Sequence, residues 1–208
     1  MDAMKIKDEK MTNELLACAR AEFAQKGFND ASMRDIASRA NVTTGTLYSR
    51  FADKNELFEA IVGESAKGLM DIFVGAMTEF ASFDAGVQHS DMHTYENGKV
   101  FELINYVYDR YDDFKLIICK SEGSSLQNYF DKMIEIETDN TDRFIRDLTA
   151  SGIKIKPVRR DLSHMLASAM FTAMFETVAH DYSREDALEY IGQVMEFFNA
   201  GWDKILGL

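Results

Sequence analysis

Apolar residues recur at helical spacing along almost the whole chain of 208 residues. Spacings of three and four residues place such side chains on one face of an α-helix, whereas a strand would need alternate residues. The chain contains a single proline and few runs of β-branched residues, so it lacks the many turns that an all-β fold needs. The sequence therefore predicts an all-α protein.

The periodic segments and their capping residues predict where the helices lie. The first helix should run from about residue 12 to about residue 26 and end at Gly27, which can adopt a left-handed cap. Ser32 and Thr43 should cap two short helices, at about 33–40 and 44–51, and a long helix should begin at Lys54. Further helices are expected at about 99–119, 124–150, 161–180 and 184–206. The weak pattern of residues 82–98 suggests a loop or a broken helix.

The charge of the chain leaves a nucleic-acid partner open. A formal net charge of −12 would ordinarily argue against such a partner. From residue 31 to residue 54, however, the balance turns positive, with Arg34, Arg39, Arg50 and Lys54 against Asp35 and Asp53. Screening confines each charge to about 8 Å at physiological salt, so a locally basic surface on an acidic protein can still bind phosphate.

No cofactor, metal or membrane segment is predicted. Cys18 and Cys119 lie far apart and form no ligand spacing typical of zinc, so reduced thiols in a cytoplasmic protein are expected. No apolar run approaches the roughly 20 residues of a membrane span. His89, His93 and Glu96 would share one face of a helix, a spacing that invites a metal site, but their polar surroundings favour a solvated loop.

Residues 32–51 have the layout of a helix-turn-helix, in which two short helices are joined by a turn of three or four residues. The apolar positions that would pack these helices are Ile36, Ala37, Ala40, Val42, Leu47 and Phe51. They leave a polar outer face made of Thr44, Gly45, Thr46, Tyr48, Ser49 and Arg50. A helix in a major groove needs small residues where bases approach and polar groups that bond to them. Gly45 suits such an approach, although it could instead relieve crowding between helices.

This segment resembles the DNA-binding signature of the tetracycline-repressor (TetR) family. The resemblance lies in ASRANVTTGTLYSRFADKNELF at residues 37–58, and it extends upstream to AEFAQKGF at 21–28 and SMRDIA at 32–37. Asn41 stands where glycine is usual in the family's turn, and Arg50 stands where histidine is usual. The resemblance implies a homeodomain-like helix-turn-helix domain of three helices over residues 1–53. A larger helical domain for effector binding and dimerisation would follow over residues 54–208.

The resemblance also implies a DNA-binding surface. The residues at or near base edges would be Thr43, Thr44, Gly45 and Thr46. The other expected contacts are Ser32, Arg34, Tyr48, Ser49, Arg50 and Lys54. Among these, Tyr48 and Lys54 would bind phosphates, and the dipole at the start of the following helix would support Lys54. Ser32 and Arg34 would reach the backbone of the opposite strand.

The last two predicted helices carry a signal for a second subunit. In the last helix, apolar residues recur with alternating spacings of three and four, a pattern typical of a packing seam. The helix before it is apolar around most of its circumference, so both of its sides must be covered. A twofold dimer through a four-helix bundle fits this pattern, and the resemblance implies the same. The predicted interface residues are Met165, Phe171, Phe175, Leu188, Ile191, Met195, Phe198 and Trp202.

The middle of the chain is rich in large, soft side chains, and in the resembled family this region encloses an effector pocket. The residues predicted to bind the effector are Phe101, Tyr106, Tyr108, Met133, Met170 and Met174. Plain core packing is the competing interpretation for most of them. The acidic character of this part of the chain makes a neutral or cationic effector more natural than an anionic one.

The sequence therefore predicts a homodimeric repressor of transcription that binds a pseudo-palindromic DNA operator and is released by a small-molecule effector. Whether the effector releases or promotes DNA binding stays open at this point. An enzyme is not expected, because the chain has no Ser/His/Asp order, no phosphate-binding glycine loop and no HExxH motif. A helical small-molecule carrier that keeps the helix-turn-helix as a scaffold is the remaining alternative.

Overall fold

The computed structural model describes residues 2–208, and it describes side chains from Asp8 onwards. Within that range the chain forms nine α-helices and no strand, in agreement with the all-α prediction. The helices are α1 (Asp2–Asp30), α2 (Met33–Arg39), α3 (Thr44–Tyr48), α4 (Lys54–Ala81), α5 (Ala85–Asp109), α6 (Tyr111–Lys120), α7 (Tyr129–Ala150), α8 (Arg160–Ala179) and α9 (Arg184–Leu206). Among these residues, no helix carries the long apolar stretch that crossing a membrane would require.

The chain divides into two compact units. Unit 1 comprises the chain up to Lys67 together with Asp112–Gln127, and unit 2 comprises Gly68–Tyr111 together with Asn128–Leu208. Helix α4 runs from unit 1 into unit 2. Helix α6 belongs to unit 1 although its neighbours along the chain, α5 and α7, belong mainly to unit 2. The functional domains expected over residues 1–53 and 54–208 stay a prediction, because the two units rest on packing alone.

The core of unit 1 is built around three phenylalanine rings. Phe23, Phe28 and Phe58 lie with their ring centroids 5.0 to 5.9 Å apart, and all three are buried. Such rings contribute both apolar burial and favourable edge-to-face contacts. Gly27, between the first two rings, has a φ of 76°, so it kinks α1 where the sequence places the end of the first helix. The last residues of α1 lie beyond this kink.

The core of unit 2 is formed by the facing sides of five helices. Its fully or almost fully buried side chains include Phe73, Ile104, Met133, Phe171, Met174 and Ile191, drawn from α4, α5, α7, α8 and α9. Neighbouring pairs α7–α8, α5–α9 and α8–α9 pack against each other. The interior is thus a helical bundle, in which side chains on facing helices can line a binding site.

The expected loop or broken helix at residues 82–98 is wrong, because α5 begins at Ala85 and continues to Asp109. Asp84 caps this helix: its Oδ1 accepts hydrogen bonds from the backbone of Gly86 at 2.9 Å and of Val87 at 3.1 Å. The buried stripe begins with Gln88, whose amide donates to the Phe83 carbonyl at 2.9 Å. A buried glutamine interrupts the apolar pattern, so the sequence hides this half of the helix.

The expected single helix over about 99–119 is also wrong, because it consists of two helices. Arg110 has φ −126° and ψ 37°, which ends α5, and α6 starts at the next residue. The break coincides with the chain leaving unit 2 for unit 1. Apolar periodicity continues across the break, so spacing alone does not reveal it.

Candidate functional site

Helices α2 and α3 form the helix-turn-helix, and each is capped by the residue that the sequence indicates. The Ser32 hydroxyl accepts a hydrogen bond from the backbone N–H of Asp35 at 3.2 Å, and the Thr43 hydroxyl accepts one from Thr46 at 3.1 Å. Asn41 adopts a left-handed conformation with φ 53°, as expected for the residue in the position of the turn glycine. The turn is closed by a hydrogen bond from the backbone of Val42 to that of Ala37 at 3.0 Å.

The outer face of α3 is polar, exposed and built from small residues. Thr44, Gly45, Tyr48 and Ser49 are exposed, whereas Leu47 on the inner side is fully buried. A β-carbon at Gly45 would have only the Thr43 hydroxyl near it, at 3.6 Å, an ordinary contact distance. Crowding between helices therefore does not account for Gly45.

Some of the hydroxyl groups in this region are already used within α3 and its cap. The hydroxyls of Thr43 and Thr46 lie 2.9 Å apart, and the Ser49 hydroxyl donates to the Thr46 carbonyl at 2.8 Å. Within the described residues, the side chains of Thr44 and Tyr48 have no such partner, and Tyr48 is 52% exposed. These two side chains are the groups on α3 that remain available for an external partner.

Arg50 does not lie on this exposed face. Its Nη1 donates to the Thr12 hydroxyl at 2.9 Å, and its Nη2 pairs with the carboxylate of Asp8. This hydrogen-bonded guanidinium lowers the pKa of Asp8 below its ordinary value. Because only 19% of the side chain is exposed, the prediction that Arg50 belongs to the outer face is wrong. Contacts with α1, which spacing within one helix does not indicate, determine its position.

Lys54 is also engaged within unit 1. Its Nζ donates to the carbonyls of Asn29 at 2.9 Å and Ala31 at 3.2 Å, and it lies 4.7 Å from the centre of the Phe28 ring. The ammonium has three N–H donors, so two of them are occupied. Through these contacts Lys54 connects the start of α4 with the end of α1.

Sequence reasoning missed a buried ion-pair network behind the helix-turn-helix. Glu22 of α1 is fully buried, and its carboxylate lies 2.6 Å from Lys26 Nζ and 3.3 Å from Arg39 Nη1. The backbone N–H of Ser32 also donates to Glu22, at 3.4 Å. In a complete capping box Asp35 would accept that bond, but Asp35 pairs with Lys26 at 3.0 Å instead. A signal existed, because Glu22 falls within the apolar stripe of α1.

Most of the predicted interface residues are buried inside the subunit. The buried ones are Phe171, Phe175, Ile191, Met195 and Phe198, and Leu188 and Trp202 are partly buried. The seam of α9 packs against helices of its own unit, and the role of these residues in a dimer interface stays a prediction. Of the eight predicted residues, Met165 on α8 is the exposed one, at 66%.

Both α8 and α9 also expose large apolar side chains to solvent. Phe197 is 74% exposed and Tyr190, two turns earlier on α9, is exposed as well. On α8, Leu162 and Met165 are exposed one turn apart. Large apolar side chains exposed at helical spacing are typical of a surface that another protein covers. Sequence analysis missed Phe197 because its neighbour Phe198 fits the stronger seam.

Three comparisons with known proteins bear on this arrangement. Residues 15–61 match the family model described as "Bacterial regulatory proteins, tetR family". This N-terminal part of the chain is therefore similar to the TetR family. Its match with the HTH-type transcriptional regulator UidR of Escherichia coli K12 is 36% identical over 62 residues, 30% of this chain and 32% of UidR. Its match with the HTH-type transcriptional repressor KstR2 of Mycobacterium tuberculosis H37Rv is 37% identical over 71 residues, 34% of each chain.

The comparison of whole folds extends the similarity beyond the N-terminal part. The TetR-family transcriptional regulator PfmR from Thermus thermophilus aligns over 88% of this chain and 97% of its own, with a TM-score of 0.58 and 17% identity. The curated relatives are matched over only about a third of their length. The similar proteins are regulators of transcription and not enzymes, in agreement with the sequence prediction. This chain and PfmR thus share a fold over most of their lengths.

Unit 2 contains a cavity of about 100 Å³ lined by α4, α5, α7, α8 and α9. Half of the lining residues are aromatic or methionine, and the lining includes two carboxyl groups, Glu96 and Glu137. Burial raises the pKa of Glu96 to about 8, with Glu137 and Asp203 adding repulsion. Burial also raises the pKa of Glu137 to about 7, against a hydrogen bond with Thr141 that lowers it. Both groups therefore titrate near neutral pH.

Two of the six residues predicted to bind an effector line this cavity, namely Met170 and Met174. The others lie elsewhere in unit 2: Phe101, Tyr106, Tyr108 and Met133. Tyr106 packs so closely on Gly68 of α4 that a β-carbon there would lie 1.9 Å from its hydroxyl. The Tyr108 hydroxyl donates to the Tyr182 carbonyl at 3.2 Å, and Met133 is fully buried in the core. For these, packing explains the residue type.

The interpretation of residues 89–96 changes with the helix. His93 and Glu96 lie on α5, and His93 Nε2 is 2.7 Å from Asp203 Oδ1 of α9, whereas Glu96 lines the cavity. His89 is exposed on the same helix. Within the described residues, no group of three or more His, Cys, Asp or Glu side chains is arranged to hold a metal ion.

Proposed function

We propose that this protein represses transcription by binding a pseudo-palindromic DNA operator as a homodimer, with α3 as the recognition helix. The exposed outer face of α3 is the observation that carries the proposal. It combines Gly45, which no internal contact requires, with the Thr44 and Tyr48 hydroxyls, which have no partner within the described residues. A helix that enters a major groove of about 12 Å needs such small, hydrogen-bonding residues at its surface.

The proposed contacts follow from which groups are available. Thr44 reaches base edges, and Gly45 lets the helix backbone approach them, while Tyr48 donates its hydroxyl to a phosphate. Arg34 on α2 is exposed and reaches the backbone of the opposite strand. Thr43 and Thr46 act mainly by fixing the start of α3, and the third N–H of Lys54 remains for a phosphate.

The exposed face of α8 and α9 supports the dimer. Phe197 and Met165 expose 74% and 66% of their surface, and each has an exposed apolar neighbour on its own helix. A second copy covers this face through a four-helix bundle, since a twofold dimer uses the same patch on both subunits. Two recognition helices then meet successive major grooves on a pseudo-palindrome.

A small-molecule effector in the cavity of unit 2 releases the operator. Helix α4 connects effector binding with operator release. Its first residue, Lys54, donates a hydrogen bond to the end of α1, and Phe73 and Phe80 of the same helix line the cavity. An effector that binds one conformation more tightly shifts the population towards it, and a coupling of about 1–3 kcal/mol weakens operator binding roughly 5- to 150-fold. The protein works in the cytoplasm, where bacterial DNA lies.

The experiment that tests this function is selection of bound fragments from genomic DNA, followed by titration of the recovered site. Expected is a palindromic site whose affinity falls steeply with salt, by about 10³ or more between 50 and 200 mM if six phosphates are contacted. Tyr48→Phe weakens binding on all sequences alike, with Tyr182→Phe as the matched control in unit 2. Thr44→Ala changes which base is preferred by about 1–3 kcal/mol, with the exposed Thr94→Ala as its control.

A helical carrier of small molecules is the outcome that would replace this proposal. The cavity favours it, because a carrier needs such a site and no DNA. Failure to recover any site, together with equal DNA binding by wild type and Tyr48→Phe, would establish that the outer face of α3 does not recognise DNA.

A further inference from the structure

The cavity of unit 2 combines aromatic walls with two carboxyl groups. Its walls are strongly aromatic, and the rings include Phe73, Phe80, Tyr95, Phe144, Phe198 and Trp202. Yet α5 contributes Glu96 and α7 contributes Glu137 to the same wall. Carboxyl groups in such surroundings lose most of their hydration, so each needs either a proton or a positive partner.

The described part of the chain does not supply such a positive partner. Among these residues, no lysine, arginine or histidine nitrogen forms a salt bridge with Glu96 or Glu137. Lys99 also lines the cavity, but its Nζ lies 3.3 Å from Glu79 and 3.2 Å from Glu102. The Lys99 charge is thus already balanced by two carboxylates, so the described lining offers no uncompensated positive charge to Glu96 and Glu137 when they ionise.

We propose that this cavity binds a lipophilic cation, with the aromatic rings receiving its apolar body and Glu96 and Glu137 providing the opposite charge. Aromatic faces attract cations within about 6 Å through their quadrupole, and quaternary ammonium groups are the best-known case. The methionines Met77, Met170, Met174 and Met195 add a polarisable and adaptable wall. The inference rests on the proposed function, because it names the chemical class of the effector at that same site.

Protonation of the two carboxyl groups links this binding to pH. The charged and titratable groups around Glu96 are His93, Tyr95 and Lys99 on α5, Glu79 on α4, Glu137 on α7 and Asp203 on α9, whereas α8 contributes only uncharged residues to the lining. A cation favours the ionised form of the carboxyl groups, so a proton held by either group in the empty cavity is released when the cation binds. Its affinity should therefore rise as the pH increases from 6 to 9, and protons should be released on binding.

The test uses a probe of matched shape and the natural fluorescence of the cavity. Trp202 is the single tryptophan of the chain and lines the cavity, so its emission reports directly on occupancy. The probes are benzyltrimethylammonium, its uncharged carbon isostere neopentylbenzene, and 3-phenylpropanoate as an anion of similar size. Expected at pH 8.5 is an affinity for the cation at least about tenfold above that for either other probe. Equal affinities for the cation and its isostere would overturn the proposal.

Two variants locate the charge, and one wild-type measurement is independent of them. Glu96→Gln with Glu137→Gln should lose at least about tenfold in cation affinity while keeping that for the isostere. Asp91→Asn, an exposed change on the same helix, should keep both. If the double variant does not fold, calorimetry of the wild type in two buffers decides: proton release with the cation supports the proposal, and none contradicts it.

The failure of this inference is distinguishable from the failure of the proposed function. All of these measurements are made without DNA, so they concern the cavity alone. Release of the selected operator is then measured with each probe. If the isostere alone binds and releases the operator, the result supports the proposed regulatory function and contradicts the proposal of a cationic effector. If the cation binds as expected but no operator is found, the result supports cation binding in the cavity and contradicts the regulatory function.

Discussion

Carboxyl groups of the two units differ in their burial and in whether a salt bridge balances their charge. In unit 1 the fully buried Glu22 is held by Lys26 and Arg39, so its charge is balanced inside the fold. In unit 2 Glu96 and Glu137 lie against an apolar cavity with no salt bridge among the described residues. Removing one partner of a buried ion pair destabilises the fold because it leaves a charge uncompensated, whereas a carboxylate without an ion pair is a cost that a proton or a ligand removes. The comparison separates a structural charge from one that is available for binding.

The largest expected effect is the loss of stability when the ion-paired Glu22 is replaced. Glu22→Gln should lower the free energy of unfolding by about 2–3 kcal/mol, below the usual cost of breaking a buried pair because Lys26 and Arg39 reach solvent. Urea unfolding of the full chain measures the change, with the exposed Glu14→Gln as the control. A loss no greater than that of the control would mean that Glu22 is not balanced as the structure indicates.

The carboxyl group of Glu96, which has no salt bridge, should lower the stability of the fold when it ionises. Glu96 has a pKa raised to about 8 in the folded chain, so the folded state holds a proton that the unfolded state releases near pH 4.5. Its contribution to stability is complete below the lower value and declines as the pH rises towards 8, by up to about 1.4 kcal/mol per pH unit.

Glu96→Gln should remove this part of the decline and raise the thermal midpoint at pH 9. Thermal unfolding from pH 6 to pH 9 measures it, and Asp91→Asn should leave the slope as in the wild type. An unchanged slope in Glu96→Gln would show that the carboxyl of Glu96 is already ionised at neutral pH.

The smallest effects sharpen the comparison with one glycine from each unit. Gly68→Ala should cost about 1–2 kcal/mol, because the Tyr106 hydroxyl must move to admit the new methyl group. Gly45→Ala should leave stability unchanged or raise it by up to about 1 kcal/mol, since the methyl has room and alanine favours the helix. The same Gly45 variant should weaken binding to the selected operator. Stability by urea unfolding and operator affinity should therefore change separately.

The helix-turn-helix was predictable because hydrogen bonds between residues close in sequence determine its structure. Ser32, Asn41 and Thr43 each fix their own segment through bonds to residues at most a few positions away, so the sequence pattern contains the answer. Arg50 and Lys54 could not be placed in this way. Their partners lie on α1 or just after it, more than 20 residues away, and no spacing within a helix reveals them.

Periodicity identified α7, α8 and α9 of unit 2 but not what covers them. The seam of α9 through Ile191 and Met195 is present as the spacing indicates, but it packs inside the subunit, and the exposed apolar residue is Phe197. A repeat of apolar residues indicates that a helix face is buried, but it does not indicate whether the same subunit or another one covers that face. The cavity was unpredictable for a related reason, because Glu96 and Glu137 come together only when α5 and α7 pack on each other.

The inclusion of α6 in unit 1 has a consequence for how this chain is made. Leu116 and Ile117 of α6 are buried, and Asp113 pairs with Arg20 of α1 at 2.5 Å. The nascent polypeptide therefore lacks a wall of its first unit until the segment up to Gln127 has left the ribosome, long after the three N-terminal helices emerge. A fragment that stops at Lys67 would expose the apolar surface that α6 covers. Completion of the first unit in synthesis thus waits for all of α5, which belongs to the second.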